Sequence, residues 1–408
     1  MAAPPPMAAP WAAKVPEQDQ QKLLQEKLAR AKAMKPGGAD APPQPSPESP
    51  SKLVVDAVGL TAVSPPPSPG LVVAPWSSAA DGGEDMAPLH LAPGEEVPVT
   101  TIQVGGESKQ FRFQSPFKVI KSSEDMQRFR EGTAYAMVRD FILSLNDSCK
   151  SKQIGSARVH SPGCTACIAV LRSLSRLVDQ VPPIQQPMRY GNKAFRDWFD
   201  KAAENIPQLV EEMLPANLKP AAVEVAPYLL HSLGNKTRID YGTGHEHTFI
   251  CFLTALAQIG FFVAEDAEAL ALGVFWEYLQ LARKLQLSYR LEPAGSHGCW
   301  SLDDYQFVPF MWGSAQLMDH PSLVPSSIHE DNKVRENAGA YYYMHCVEFI
   351  KEVKSGHISE NSPMINDISA VATWKKVNKG MCTMFFAEVM DKQPVMQHML
   401  FGSILPPP

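Results

Sequence analysis

Lys236-Thr-Arg-Ile-Asp-Tyr-Gly-Thr-Gly-His-Glu-His247 is followed almost at once by the apolar run Phe249-Ile-Cys-Phe-Leu-Thr-Ala-Leu-Ala-Gln-Ile-Gly-Phe-Phe-Val-Ala264. The run is too short to cross a bilayer and carries Gln258, so it reads as a buried helix over roughly 246–263. The twelve residues before it gather two cations, two acids, two histidines and two glycines. Gly242 and Gly244 allow a sharp turn and a close approach of backbone to a ligand. The first N–H groups of the helix would point back at this loop and favour an anion. Thr243 is placed to cap the helix or touch a phosphate, and Arg238 could clamp one. A polar connection that merely caps a buried helix uses the same residues. G-x-G is a weak signal and no Walker lysine pattern is present, so both readings stand at this point.

On either side the pattern is helical. Ser122-Ser-Glu-Asp125 is a capping start for Met126–Leu145. Helical spacing continues over Thr165–Val178, Asn192–Met213 and Ala221–Leu233, the last closed by Gly234. Beyond the apolar run, helices are expected over Asp266–Tyr289, in pieces over Leu302–Leu317 around Pro309 and Gly313, over Asn332–Lys354 and over Lys375–Val389. Gln393–Pro408 reads as an extended tail. Thr100–Phe113 alternates weakly about Gly105-Gly106, which fits a small hairpin or an extended arm. No strand-rich region competes. The expectation is an all-α domain over 106–408, with function carried on loops between helices.

Residues 1–105 differ. The first hundred hold 19 of the 37 prolines, a composition that cannot bury enough apolar surface to offset its ordering entropy, so this Pro/Ala-rich arm is expected to be disordered. Gln20–Met34, rich in helix formers, is expected to form a short transient helix. The net charge is −6 with cations scattered, which gives no electrostatic footprint for nucleic acid. Met1–Pro10 lacks the charged start and apolar core of a secretory signal, and no segment reads as a membrane span. Seven irregularly spaced cysteines suit free thiols in a reducing cytosolic or nuclear setting.

Other constellations compete for chemistry. Cys164-x-x-Cys167 with His160 nearby lacks a second cysteine pair, and reads as ordinary thiols rather than zinc. His245-Glu-His247 is not H-E-x-x-H, and histidines two apart face different sides of a helix. Asp303-Asp304 could hold magnesium, which takes one carboxylate plus phosphate oxygens and water, or could be an acidic first turn of a helix. No G-x-S-x-G occurs and no cysteine lies in activating surroundings. The catalytic residues, if any, are not legible.

Four stretches together resemble the phosphotyrosyl phosphatase activator family, activators of the serine/threonine protein phosphatase 2A: Arg238-Ile-Asp-Tyr-Gly-Thr-Gly-His-Glu246, Tyr289-Arg-Leu-Glu-Pro-Ala-Gly-Ser296, Leu302-Asp-Asp-Tyr-Gln-Phe307 and Phe401-Gly-Ser-Ile-Leu405. Tyr190–Phe195 and Gly339–Tyr343 fall where that family has its own helices. The resemblance covers roughly 110–408. It implies an all-helical fold with core, linker and lid parts and a deep cleft for ATP and magnesium. It implies that Arg238, Thr243 and Gly244 contact the nucleotide from one side, and Gln397, His398 and Met399 from the other, Met399 mainly through its backbone. Gly298, through its carbonyl, and Asp304 would serve Mg2+. His297 and Cys299 receive no role. The implied partners are the catalytic and scaffold subunits of the phosphatase, with the chain acting as a conformational chaperone. Peptidyl-prolyl isomerase activity on prolyl segments is implied too, with Trp300, Tyr305 and Phe307 lining a groove. A non-catalytic helical scaffold is the alternative.

Overall fold

The computed structural model describes residues 97–156, 161–295, 302–354 and 356–408. The expected transient helix at Gln20–Met34 and most of the arm fall outside them. So do His160, Gly298 and Trp300.

Within these residues the chain is a multi-helix body with three short two-stranded ladders at its edges. An antiparallel hairpin pairs β1 (Thr100–Val104) with β2 (Glu107–Phe111). Its glycines Gly105 and Gly106 both take positive φ, as a tight turn requires. Ile102 and Phe111 are buried, so the packed body includes residues before 106. The expected single helix at Met126–Leu145 is two, α1 (Ser123–Glu131) and α2 (Thr133–Ser148), broken at Gly132. The capping box at Ser122 and Asp125 forms as read from the sequence.

Next come α3 (Pro162–Gln180), α4 (Ala194–Met213) and α5 (Ala222–His231), packed in sequence, α3 on α4 and α4 on α5. Cys164 and Cys167 lie buried on the inner face of α3, and burial pushes the Cys164 thiol up to about 11. Such thiols are packing groups.

The apolar run is the centre of the body. It forms α6 (Thr243–Gln258), in which every residue from Glu246 to Leu256 is buried. A helix apolar on all sides must be surrounded, and α2 and α5 pack against this one. It stops short of the expected end because Gly260 takes φ +77 and turns the chain. The short α7 (Ala267–Ala269) runs through a π turn at Leu270–Val274 into α8 (Phe275–Tyr289), which lies along α3. Two aromatic rings tie α6 to α8: Phe249 stacks on Tyr278 with centroids 3.7 Å apart.

The remaining helices are α9 (Val308–Gln316), α10 (Asp331–Asn337), α11 (Tyr342–Val353), α12 (Ile358–Asn361), α13 (Pro363–Ser369), α14 (Trp374–Phe385) and α15 (Gln393–Met396). The expected helix over Asn332–Lys354 is therefore split, with Ala338–Tyr341 as the break. α9 packs against α11 and α14. At the α9–α11 crossing, a Cβ on Gly313 would collide with the Tyr343 backbone, so only glycine lets the helices come this close.

The other two ladders join distant parts of the chain. β4 (Asp240–Tyr241) runs parallel to β5 (Glu292–Pro293), and β3 (Phe117–Lys118) pairs antiparallel with β6 (Leu400–Phe401). The tail, expected to be extended throughout, first makes the single turn of α15. It is then held by buried Glu224, which accepts hydrogen bonds from the Ser403 hydroxyl at 2.8 Å and the Ile404 N–H at 2.6 Å. Among the described residues no helix is long and apolar enough to cross a membrane.

Candidate functional site

The turn before α6 is built by Asn235. Its side-chain oxygen accepts the N–H groups of Thr237 (2.9 Å) and Arg238 (2.8 Å), an Asx turn. The next residue, Ile239, takes φ +55. A β-branched side chain resists this region, so the backbone here is held against its own preference, a condition that gathers at binding sites. Asp240 then enters the β4–β5 ladder.

Gly242 and Gly244 do not use the left-handed freedom that the sequence suggested. Gly242 is extended, at φ −172 and ψ −172. It is needed for closeness: a Cβ there would sit 2.8 Å from the Ala294 carbonyl oxygen and 3.0 Å from its Cβ. Thr243 is the first residue of α6 rather than its cap, which is Gly242, with no side-chain cap bond. The first intrahelical bonds run from the N–H groups of His245 (2.9 Å) and Glu246 (3.2 Å) to the Gly242 carbonyl, so the N–H groups of Thr243 and Gly244 lie ahead of the helix ladder. A Cβ on Gly244 would meet a single neighbour, Val395 Cγ1 at 3.3 Å, which leaves that backbone approachable.

Asp240 organises the charges. It is 6% exposed. Its Oδ2 accepts from Arg238 Nε at 2.7 Å, and Oδ1 lies 3.7 Å from His245 Nε2. Burial would raise this carboxyl, but His245 and Arg238 outweigh it and hold it below the usual range. The other nitrogen of His245, Nδ1, lies 2.7 Å from the His231 carbonyl oxygen. His231 itself is pushed down to about 4, by burial first and then by Lys118, His245 and His398. The end of α5 and the first turn of α6 thus meet at His231 and His245, with the Asp240 carboxylate beside them. His247 points elsewhere, into the core beside Cys251, so the two histidines diverge as their spacing requires.

The C-terminal segment reaches this turn through Val395. Gln397 is exposed, donating to the Pro394 carbonyl at 3.1 Å and lying 3.4 Å from His398 Nε2. The Met399 side chain is buried, which leaves only its backbone for any ligand. On the opposite side, Tyr305 donates to the Leu291 carbonyl at 2.7 Å, and its ring lies 6.4 Å from that of Tyr241. Asp304 pairs with Lys354 at 2.9 Å and keeps 31% of its side chain exposed. Asp303 turns the other way. It accepts the N–H groups of Tyr305 (3.4 Å) and Gln306 (3.1 Å), and burial followed by the Asp304 charge raises its carboxyl. Phe307 does not line a groove; it is buried against Phe385, with centroids 5.5 Å apart.

The structure therefore brings Arg238, Thr243 and Gly244 together around Asp240 and His245, with Val395 of the tail beside Gly244; Tyr305, next to Asp304, ties its own turn to Leu291. Gly298 lies outside the described residues. An open cleft of about 810 Å3 between Pro183–Met188 and Leu287–Arg290 is lined by none of these residues. Sequence reasoning missed Asp240, although it quoted the residue, and missed His231 and Lys118 altogether. Neither of the last two belongs to a motif, and each is more than a hundred residues from at least one of its neighbours here. Among the described residues no three His, Cys, Asp or Glu side chains cluster as a metal cage. A partly exposed carboxylate such as Asp304, once released by Lys354, suits a magnesium ion held mostly by phosphate and water.

The comparisons agree with one another. The sequence model described as "Phosphotyrosyl phosphate activator (PTPA) protein" matches residues 116–407. The chain is 40% identical over 295 residues to "Probable serine/threonine-protein phosphatase 2A activator 1" of Dictyostelium discoideum, covering 72% of this chain and 91% of that one. It is 40% identical over 306 residues to "Serine/threonine-protein phosphatase 2A activator 1" of Schizosaccharomyces pombe, covering 74% and 92%. The crystal structure of the PP2A phosphatase activator Ypa1 PTPA1 superposes with a TM-score of 0.65 at 34% identity, covering 72% of this chain and 95% of the other. With its helical body, its glycine turn and these relatives, the chain belongs to the phosphotyrosyl phosphatase activator family.

Proposed function

We propose that this chain is an activator and conformational chaperone of serine/threonine protein phosphatase 2A, and that it binds ATP with magnesium at the start of α6. The relatives' names support the first half. The second half rests on one observation: Arg238 and His245 meet at Asp240 where the N–H groups of Thr243 and Gly244 precede the helix ladder. A helix start of this kind favours phosphate. Gln397, His398 and the Met399 backbone would meet the nucleotide from the tail, and Asp304 with Gly298 would hold Mg2+. The bound ion would neutralise phosphate charge. The chain's own contribution is orientation: Asp240 aims Arg238 and His245, and the β4–β5 ladder fixes the turn. No water-activating base is evident in the turn, so nucleotide would serve to shape a composite surface with the phosphatase catalytic and scaffold subunits, in cytosol or nucleus.

Calorimetry with ATP and Mg2+ on the full chain tests the site. Binding that weakens in Arg238→Ala and Asp304→Ala supports it. No heat of binding to the wild type would leave a helical scaffold without nucleotide. Peptidyl-prolyl isomerisation is the further activity we infer from the family. It needs no acid or base, only a site that holds the twisted amide better than either planar form. Tyr305, half-buried beside the turn, is the aromatic offered to a prolyl segment. A protease-coupled peptide assay without phosphatase, at background rate, would remove this activity and leave the activator role.

A further inference from the structure

Glu246 is the fourth residue of α6 and is fully buried. One of its oxygens, Oε2, accepts the N–H groups of Phe307 at 2.8 Å and Val308 at 2.9 Å. These are the first free donors of α9, whose N-cap residue Phe307 makes no side-chain cap bond. A helix end buried without such a partner would leave donors unsatisfied. The cap therefore comes from another helix, some sixty residues upstream in sequence. Its second oxygen, Oε1, is buried without a partner.

The segment so held is the one that carries Asp304. From its other end, Asp303 gathers the N–H groups of Tyr305 and Gln306. Tyr305 fastens the middle to the Leu291 carbonyl, next to β5. Glu246 sits two residues after Gly244 on the same helical turn. One side chain thus links the first turn of α6 to the turn that carries Asp304.

We infer that Glu246 is a positioning residue for the magnesium-dependent part of nucleotide binding, setting the Asp304 turn against the start of α6. The inference rests on the ATP–magnesium reading above. Groups that orient metal ligands without touching the metal change metal affinity by roughly 10–100-fold when removed. A mere helix cap would cost stability and nothing specific to the ion.

The experiment titrates ATP into the full chain with excess Mg2+ and again with EDTA, for wild type, E246A, E246D and E246Q, with folding followed by circular dichroism. Glutamine can offer an oxygen where Oε2 sits, whereas alanine cannot and aspartate is too short to reach both donors. In E246A the magnesium-dependent gain in affinity is expected to fall by about tenfold or more, while metal-free ATP affinity stays within about threefold of wild type. E246Q is expected to keep most of the gain. If E246A fails to fold, E246D carries the same expectation. An unchanged gain in folded E246A or E246D overturns the inference, as does an equal loss with and without Mg2+, which would mark a purely structural cap. Wild type that binds ATP in neither condition overturns the nucleotide reading itself, and is recognised before any variant is compared.

Discussion

Gly242→Ala and Gly244→Ala should part company, one harming the fold and the other the ligand. At Gly242 the backbone is extended, a conformation alanine adopts freely, so no dihedral strain arises. The damage is contact. The new methyl would stand 2.8 Å from the Ala294 oxygen and 3.0 Å from its Cβ. Ordinary contact needs β4 and β5 to part by about half an ångström, which strains the hydrogen bond from Ala294 N–H to the Tyr241 carbonyl, now 2.8 Å. Overpacking of this size costs ~1–3 kcal/mol. At Gly244 the methyl meets only the flexible end of Val395 at 3.3 Å. Alanine also lowers the entropy cost of a helical position by roughly 0.5–1 kcal/mol. Gly244→Ala should therefore be as stable as wild type or slightly more so. It should nevertheless bind ATP at least about tenfold less tightly, a loss of ~1.4 kcal/mol, because the methyl stands over the backbone offered to phosphate. Urea denaturation gives the first quantity and calorimetry the second. Gly242→Ala as stable as wild type would refute the close-approach argument. Gly244→Ala binding ATP normally would take the turn out of the site.

Asp240→Asn removes the charge that Arg238 and His245 share. It should destabilise the fold by ~1–3 kcal/mol at about pH 7, read from urea denaturation. Because the folded carboxyl titrates low, its contribution is present above the unfolded carboxylate range and is lost as pH falls, so the variant and wild type should converge in acid. Glu246 works in the opposite sense. Burial raises it to about 8, partly opposed by the Val308 and Phe307 N–H groups, so stability is fully present below its unfolded value of 4.5 and is lost as pH rises through 8. Thermal melts across that window should show E246Q losing less stability than wild type, and equal slopes would contradict the assignment. His231 is pushed down to about 4, by burial first and then by the charges of Lys118, His245 and His398. A bound polyphosphate would favour its charged form, so ATP binding at about pH 6 should take up protons. Calorimetry in buffers of different ionisation enthalpy measures this, and no buffer dependence would place the phosphates elsewhere.

Much of this protein was legible in one dimension. Apolar residues at helical spacing marked most of the helices, and the all-round apolar run after His247 marked the central one, because a helix with no polar face must be enclosed. The glycine turn and the Asp303-Asp304 pair were visible as candidate places for chemistry, but the same residues also suit a helix cap and an acidic first turn, so the local pattern left both open. Folding in three dimensions settled what periodicity cannot carry. It split the helices at Gly132 and at Ala338–Tyr341. It turned Gly242 from a matter of dihedral freedom into one of proximity to Ala294, and sank the Met399 side chain into the core. It also brought His231 beside His245, and sent a carboxylate from α6 across to cap α9. Each of these depends on residues far apart in sequence. A local pattern records which way a side chain faces along its own element, but not what another element places against it.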